Sequence, residues 1–259
     1  MDNKTFLDVA GPPYDDSIVS DTREPSFDTL VSPVVVISPH YDDAVFSCGG
    51  LLANLSECTV VTVFTDIPHQ TCSLTDWDRR CGFDSAGHAM RTRAAENRMA
   101  LTTLDAAGID LHFLDDQYPQ RTTNGEHLLG DSLASTLSSM QAATVIFPLG
   151  LFHLDHIRVS DALVALCPQF PSITWIAYED IPYRRQNVYV QRRIRQLCRQ
   201  LYVSPFSVAA AHSGDALRLK ERAVAAYRSQ LRGLGLPDTA PILDQPETYW
   251  KIEAVATTI

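Results

Sequence analysis

Apolar residues in this chain form short β-branched runs that alternate with longer stretches of helical period. Val34-Val35-Val36-Ile37, bounded by Pro33 and Pro39, reads as a buried strand. Further strands are predicted at 59–64, 109–114, 144–147 and 173–178. Helices are predicted between them. One runs from 44 to 56 and contains Gly49-Gly50, each costing about 1 kcal/mol relative to alanine and so implying close backbone packing. One runs from 85 to 107, with Ala86, Met90, Ala94, Asn97, Leu101 and Leu104 on one stripe. A third carries Leu129, Leu133, Leu137 and Met140, and a fourth Val159, Leu163 and Leu166. A basic helix at 191–201 follows, then a last helix with Leu217, Val224, Tyr227 and Leu231 in step. Residues 66–84 read as a long polar loop and a functional rim. Residues 1–30 show no period and read as a polar arm, and the proline-rich tail from Gly233 reads as irregular.

Strands alternating with helices predict an α/β fold: a doubly wound, mostly parallel sheet with helices on both faces, forming a single domain over 31–259 behind the arm of 1–30. In the common winding, strands one and four are neighbours where the direction reverses, and ligands bind outside their carboxyl ends. His40, Asp42 and Asp43 follow strand one. His153, Asp155 and His156 follow strand four. The two clusters are therefore expected to converge. No G-x-G-x-x-G follows strand one, which argues against a nucleotide in that crevice.

Two imidazoles and a carboxylate with a position left for water make a catalytic zinc arrangement. Asp43 lies three residues after His40, so both reach one ion from a turn, and His156 supplies the third ligand. Such a metal brings the pKa of bound water to about 7. Asp42 is then placed as general base, and His153, oriented by Asp155, protonates the leaving group or stabilises an oxyanion. Simpler readings exist residue by residue. Asp42, Asp43 or Asp155 could cap a helix, His153 could be a loop histidine, and Arg93 with Glu96 reads as a surface pair.

The 31 acidic against 21 basic residues give a net charge of −10, which argues against nucleic acid or an anionic membrane as partner. No apolar run approaches the roughly 20 residues that span a bilayer. The six cysteines include no C-x-x-C pair, and the first residues lack a signal-peptide pattern. A reducing, cytoplasmic compartment is expected, with Cys72 and Cys81 as free thiols.

Pro39-His40-Tyr41-Asp42-Asp43 together with His153-Leu154-Asp155-His156 resembles the PIG-L/LmbE family of zinc-dependent N-acetylglucosamine-type (GlcNAc-PI) deacetylases. Arg93-Ala94-Ala95-Glu96 fits that family's R-x-x-E helix motif, and 178–183, Tyr-Glu-Asp-Ile-Pro-Tyr, resembles a stretch of some bacterial members. The resemblance implies a Rossmann-like fold and hydrolysis of an N-acyl group from an amino sugar or related small molecule, in secondary metabolism among other settings. It implies Zn2+, with Fe2+ the alternative, on His40, Asp43 and His156. Asp42 is the implied base, His153 the electrophilic partner with Asp155 behind it, and Arg93, Asp115 and Asp116 are implied substrate contacts. Tyr41 and Leu154 stand where proline is common in the family, and Leu151 where some members have tyrosine. None of these departures removes a ligand. Two other classes of function fit parts of the pattern. An iron(II) oxygenase would use Asp42 as the carboxylate of a two-His-one-carboxylate triad, and a non-catalytic binding protein would keep the scaffold alone.

Overall fold

The computed structural model describes residues 30–69, 72–118, 125–181, 183–207 and 214–254, with the backbone alone for 125–127. The arm expected over 1–30, save Leu30, lies outside the described residues, as do the last five residues of the tail. The elements run β1 (Val34–Ser38), α1 (Asp43–Leu52), β2 (Cys58–Phe64), α2 (Asp76–Cys81), α3 (Ala86–Thr103), β3 (Ala107–Phe113), α4 (Gly125–Ser139) and β4 (Thr144–Pro148). They continue with α5 (Leu154–Leu166), β5 (Thr174–Tyr178), α6 (Asn187–Leu197), β6 (Leu201–Phe206), α7 (Gly214–Val224), α8 (Arg228–Gly233), α9 (Ala240–Leu243) and β7 (Tyr249–Ala254).

They build a seven-stranded sheet in the order β3-β2-β1-β4-β5-β7-β6. The first five strands are parallel, and β7 and β6 are antiparallel additions at one edge. The winding reverses between β1 and β4, where Val35 lies opposite Val145, as the alternation of elements predicts. Successive residues of β1 point to opposite faces. Val34 and Val36 pack with Phe46 of α1, Leu101 of α3 and Val224 of α7. Val35 and Ile37 pack with Leu133 of α4, Leu163 of α5 and Val190 of α6. The sheet is thus covered on both faces. Among the described residues no helix is long and apolar enough to cross a membrane, and Cys72 and Cys81 are free thiols.

Several boundaries differ from expectation. The polar stretch 66–84 holds a helix, α2, because Thr75 and Asp78 form a reciprocal capping box and Gly82 ends the turn at φ 86°. The helix expected to reach 107 ends at 103, where Asp105 turns to φ 54° and the Ala106 N–H returns to the Leu101 carbonyl. The basic helix lies at 187–197, four residues early, and β6 follows it. The last predicted helix is two, broken at 225–227 so that the Tyr227 hydroxyl can donate to the Asn97 side chain at 2.8 Å. Leu217, expected on its buried stripe, is 39% exposed. The described part of the tail, expected to be irregular, holds α9 and β7.

That tail locks onto α1. Glu247 accepts the backbone N–H groups of Gly50 and Leu51 at 2.7 and 3.0 Å and the Tyr249 hydroxyl at 2.6 Å. Its ion pair with Lys220 is 2.7 Å long, with both side chains almost fully buried. A Cβ on Gly49 would sit 2.7 Å from Lys220 Cγ, so at Gly49 the close approach is to a buried side chain rather than to another backbone. Glu247→Ala is expected to cost about 3–5 kcal/mol, because it strands a buried ammonium. Urea unfolding measures it, and a loss below about 1 kcal/mol would contradict the buried pair.

Candidate metal and active site

The carboxyl ends of β1 and β4 each present one cluster. The Ser38 hydroxyl, at the end of β1, accepts the Ala44 N–H at 3.0 Å and donates to the His40 carbonyl. It therefore caps α1 and pins the backbone of His40 at once. Asp42 occupies the N-cap position yet makes no side-chain cap bond, so its carboxylate is not spent on the helix. Asp43 Oδ2 turns back to accept the His40 N–H at 2.8 Å. After β4, Gly150 adopts φ 85°, and a Cβ there would stand 2.7 Å from the Ser160 Cβ. Only glycine lets the chain pass this close to α5. His153 then caps α5, with Nδ1 accepting the Asp155 N–H at 3.3 Å, and His156 opens the helix's buried face.

The two clusters meet. Asp43 Oδ2 lies 3.2 Å from His40 Nδ1 and 3.2 Å from His156 Nε2. One donor atom from each of the three falls within 4.8 Å of the others. Asp180, just past β5, stands behind them. Its Oδ1 is 2.6 Å from His156 Nδ1, and its Oδ2 accepts the Gly150 and Leu151 N–H groups at 3.0 and 3.1 Å. A carboxylate on Nδ1 fixes the ring proton there, so Nε2 is the nitrogen that can exchange its proton for a cation beside Asp43, as metal-binding histidines are held.

The electrostatics agree with a cation site. Burial opposes charge on His156, but Asp43 and Asp180 outweigh it and lift the ring to about 9. Burial likewise opposes charge on His40, and Asp115, Asp155 and Asp43 still raise it well above the imidazole range. Burial would raise Asp43, yet His156 and His40 hold it well below the carboxylate range. These carboxylates call for positive charge between them, which protons or a divalent cation can supply. The two-imidazole, one-carboxylate donor set fits a divalent metal. Burial and the adjoining Asp43 push the Asp42 carboxyl up.

His153 is different. Burial, then the neighbouring His40 and His156, lowers its ring to about 4, so it is neutral near pH 7. With Nδ1 accepting from a backbone N–H, its single proton belongs on Nε2. The expected support of His153 by the Asp155 carboxylate is not the arrangement found. Only the Asp155 backbone N–H meets His153. The carboxylate stands 3.1 Å from His40 Nε2 and 3.3 Å from Arg158. His40, His153 and Asp155 form a second group whose donor atoms lie within 4.8 Å, but among the described residues no carboxylate braces His153 as Asp180 braces His156.

Of the expected substrate contacts, Arg93 is 6% exposed and donates to Asp78 at 2.8 Å. Glu96 instead accepts from Ser229, so the expected Arg93–Glu96 surface pair does not form. Asp115 is buried 3.8 Å from both Arg93 Nη1 and His40 Nε2, and Gln117 donates to it. Asp116 is exposed and pairs with Arg158 at 2.6 Å. Reasoning from sequence gave no role to Asp180 or Asp78. The signal for Asp180 was its place at the end of the strand beside β4. That for Asp78 was its capping-box spacing from Thr75.

The family model for GlcNAc-PI de-N-acetylase, PIG-L, matches residues 35–167, just over half of the chain. The chain belongs to the PIG-L family. The match holds β1, β4 and both clusters, while Asp180 lies beyond it. A 2′-N-acetylparomamine deacetylase from Streptomyces fradiae is 28% identical over 176 residues, 62% of either chain. The chain thus matches less than two thirds of that relative's length. Among solved structures, A40926 pseudoaglycone deacetylase Dbv21 superposes with TM-score 0.69 at 23% identity, over 86% of this chain and 98% of its own. The zinc-inhibited form of teicoplanin deacetylase Orf2 superposes with TM-score 0.70 at 20% identity, over 87% and 99%. These likenesses establish the shared fold.

Proposed function

We propose that this chain is a zinc-dependent N-deacetylase that releases acetate from an acetylated amino sugar or related small molecule in secondary metabolism. The observation that carries the reading is one oxygen, Asp43 Oδ2, lying 3.2 Å from a nitrogen of each of two histidines that arrive from different strands. In this reading His40, Asp43 and His156 hold the cation, with Fe2+ the alternative to Zn2+. A divalent cation there supplies Lewis acidity toward the amide carbonyl and acidifies a water. Asp42, unspent on the helix, takes the proton from the attacking water and returns it to the amide nitrogen, which leaves as the amine when the C–N bond breaks and acetate is released. Neutral His153 donates its Nε2–H to the oxygen that gains charge. Asp155 acts as a positioning residue for His40 through Nε2. Arg93, held by Asp78, positions Asp115 rather than reaching the substrate, and exposed Asp116 remains the proposed substrate contact of the three.

The iron(II) oxygenase reading needs Asp42 between the imidazoles, whereas Asp43 occupies that place. The S. fradiae relative, named for its acetylated substrate, supports an N-acetylated amino sugar here as well. The test is acetate release from a panel of N-acetylated glycosides and aminoglycosides, with metal content measured in parallel. Release that stops on chelation and returns with one equivalent of Zn2+ is the expected result. Unchanged release without metal would overturn the metal-dependent reading, and no release from any panel member would favour a binding protein.

A further inference from the structure

The β4–α5 loop places a large apolar ring in solvent beside the site. Phe152 is 58% exposed and sits at φ 60°. The His153 N–H returns to the Leu151 carbonyl at 2.6 Å across it, which makes a γ-turn of the rare, strained kind. A bulky residue at positive φ in such a turn is costly, and costs of this sort gather at functional sites. The ring is not isolated. It lies 5.4 Å from the half-buried Tyr183 ring and 5.3 Å from that of Tyr189, at tilts of 34° and 47°. Tyr183 in turn lies 5.5 Å from the His156 ring and 6.3 Å from the His153 ring. The three aromatic rings thus run outward from the cation cluster to the surface. Nothing in the hydrolysis itself uses Phe152 or Tyr189.

We propose that Phe152, Tyr183 and Tyr189 form a stacking subsite for an apolar, ring-containing aglycone attached to the amino sugar. The proposal rests on the deacetylase reading in one respect. An acetyl group is two carbons long and cannot extend from the cluster past Tyr183 to Phe152. A substrate group that reaches Phe152 must therefore hang from the amine side of the scissile bond. A flat, apolar group would cover the exposed ring and form offset stacks with its neighbours.

Calorimetric binding of methyl and phenyl β-glycosides of N-acetylglucosamine to the zinc-loaded protein tests this without requiring turnover. The phenyl glycoside is expected to bind about tenfold more tightly. That ratio is expected to fall toward one in both Phe152→Ala and Tyr189→Ala. Equal binding of the two glycosides by the unaltered protein would overturn the subsite, as would a ratio unchanged in both variants. So would a preference that follows N-acyl chain length instead of the aglycone. Acetate release is read separately. A stacking preference without release would sink the deacetylase reading and leave the subsite, and release without the preference would do the reverse.

Discussion

Asp42→Asn is expected to lower turnover by about 100- to 10,000-fold while the protein keeps its divalent cation. The substitution is nearly isosteric, so the chain entering α1 has no reason to move. Asp42 makes no side-chain cap bond, and the Ser38 hydroxyl serves the Ala44 N–H in its place, so the helix loses nothing. What is lost is a largely buried carboxylate next to the cluster, with its pKa raised by burial and by the charge on Asp43. A base drawn up toward neutrality accepts a proton more readily than an ordinary aspartate. An amide cannot accept one at all. Metal analysis and steady-state kinetics on the same sample decide the matter. Loss of metal along with activity would make Asp42 a ligand and revive the oxygenase reading. Full activity would remove it from the chemistry.

The expectation for Asp42 could be written from the sequence because the sheet's centre is local and strongly patterned. The run 34–37 and the run 144–147 are apolar and β-branched, and the polar residues that follow each have no apolar role. Their meeting needed only the rule that the winding reverses between those strands. What stayed hidden depended on contacts between segments remote from each other. Arg93 has Glu96 one turn away, a plausible partner by spacing, yet its ion pair is with Asp78, fifteen residues back in a helix of six residues. So short a helix carries too few apolar positions to show a period, and only its caps betray it. Asp155 illustrates the same limit within the site. Its spacing from His153 suggested a carboxylate–imidazole pair, but α5 turns the side chain to His40 and leaves only the backbone N–H for His153. The strands β6 and β7 were missed for a different reason. They add antiparallel to the sheet's edge with mixed burial, and Pro205 lies within the outermost one. Proline argues against a strand unless that strand is an edge, which sequence alone does not reveal.

His156→Ala is expected to leave the protein unable to retain stoichiometric zinc and without measurable acetate release. The argument turns on what remains. Removing the ring takes one of three donors, and it also takes the group that stands between two buried carboxylates, Asp43 and Asp180. Asp180 keeps its two backbone N–H donors, so the β4–α5 loop retains its anchor, and circular dichroism should show a folded protein. Stoichiometric zinc in that variant would discard the ligand set. Asp180→Asn separates the ligand from its support. The asparagine oxygen can still take the Gly150 and Leu151 N–H groups, but its NH2 would then face His156 Nδ1. To accept that bond the ring must move its proton to Nε2, the nitrogen that faces Asp43. The lone pair the cation needs is then occupied. Zinc affinity is expected to fall about 10–100-fold, the usual cost of losing such a partner, while the fold is kept. An affinity equal to that of the unaltered protein would mean that Asp180 anchors the loop and has no part in setting the imidazole.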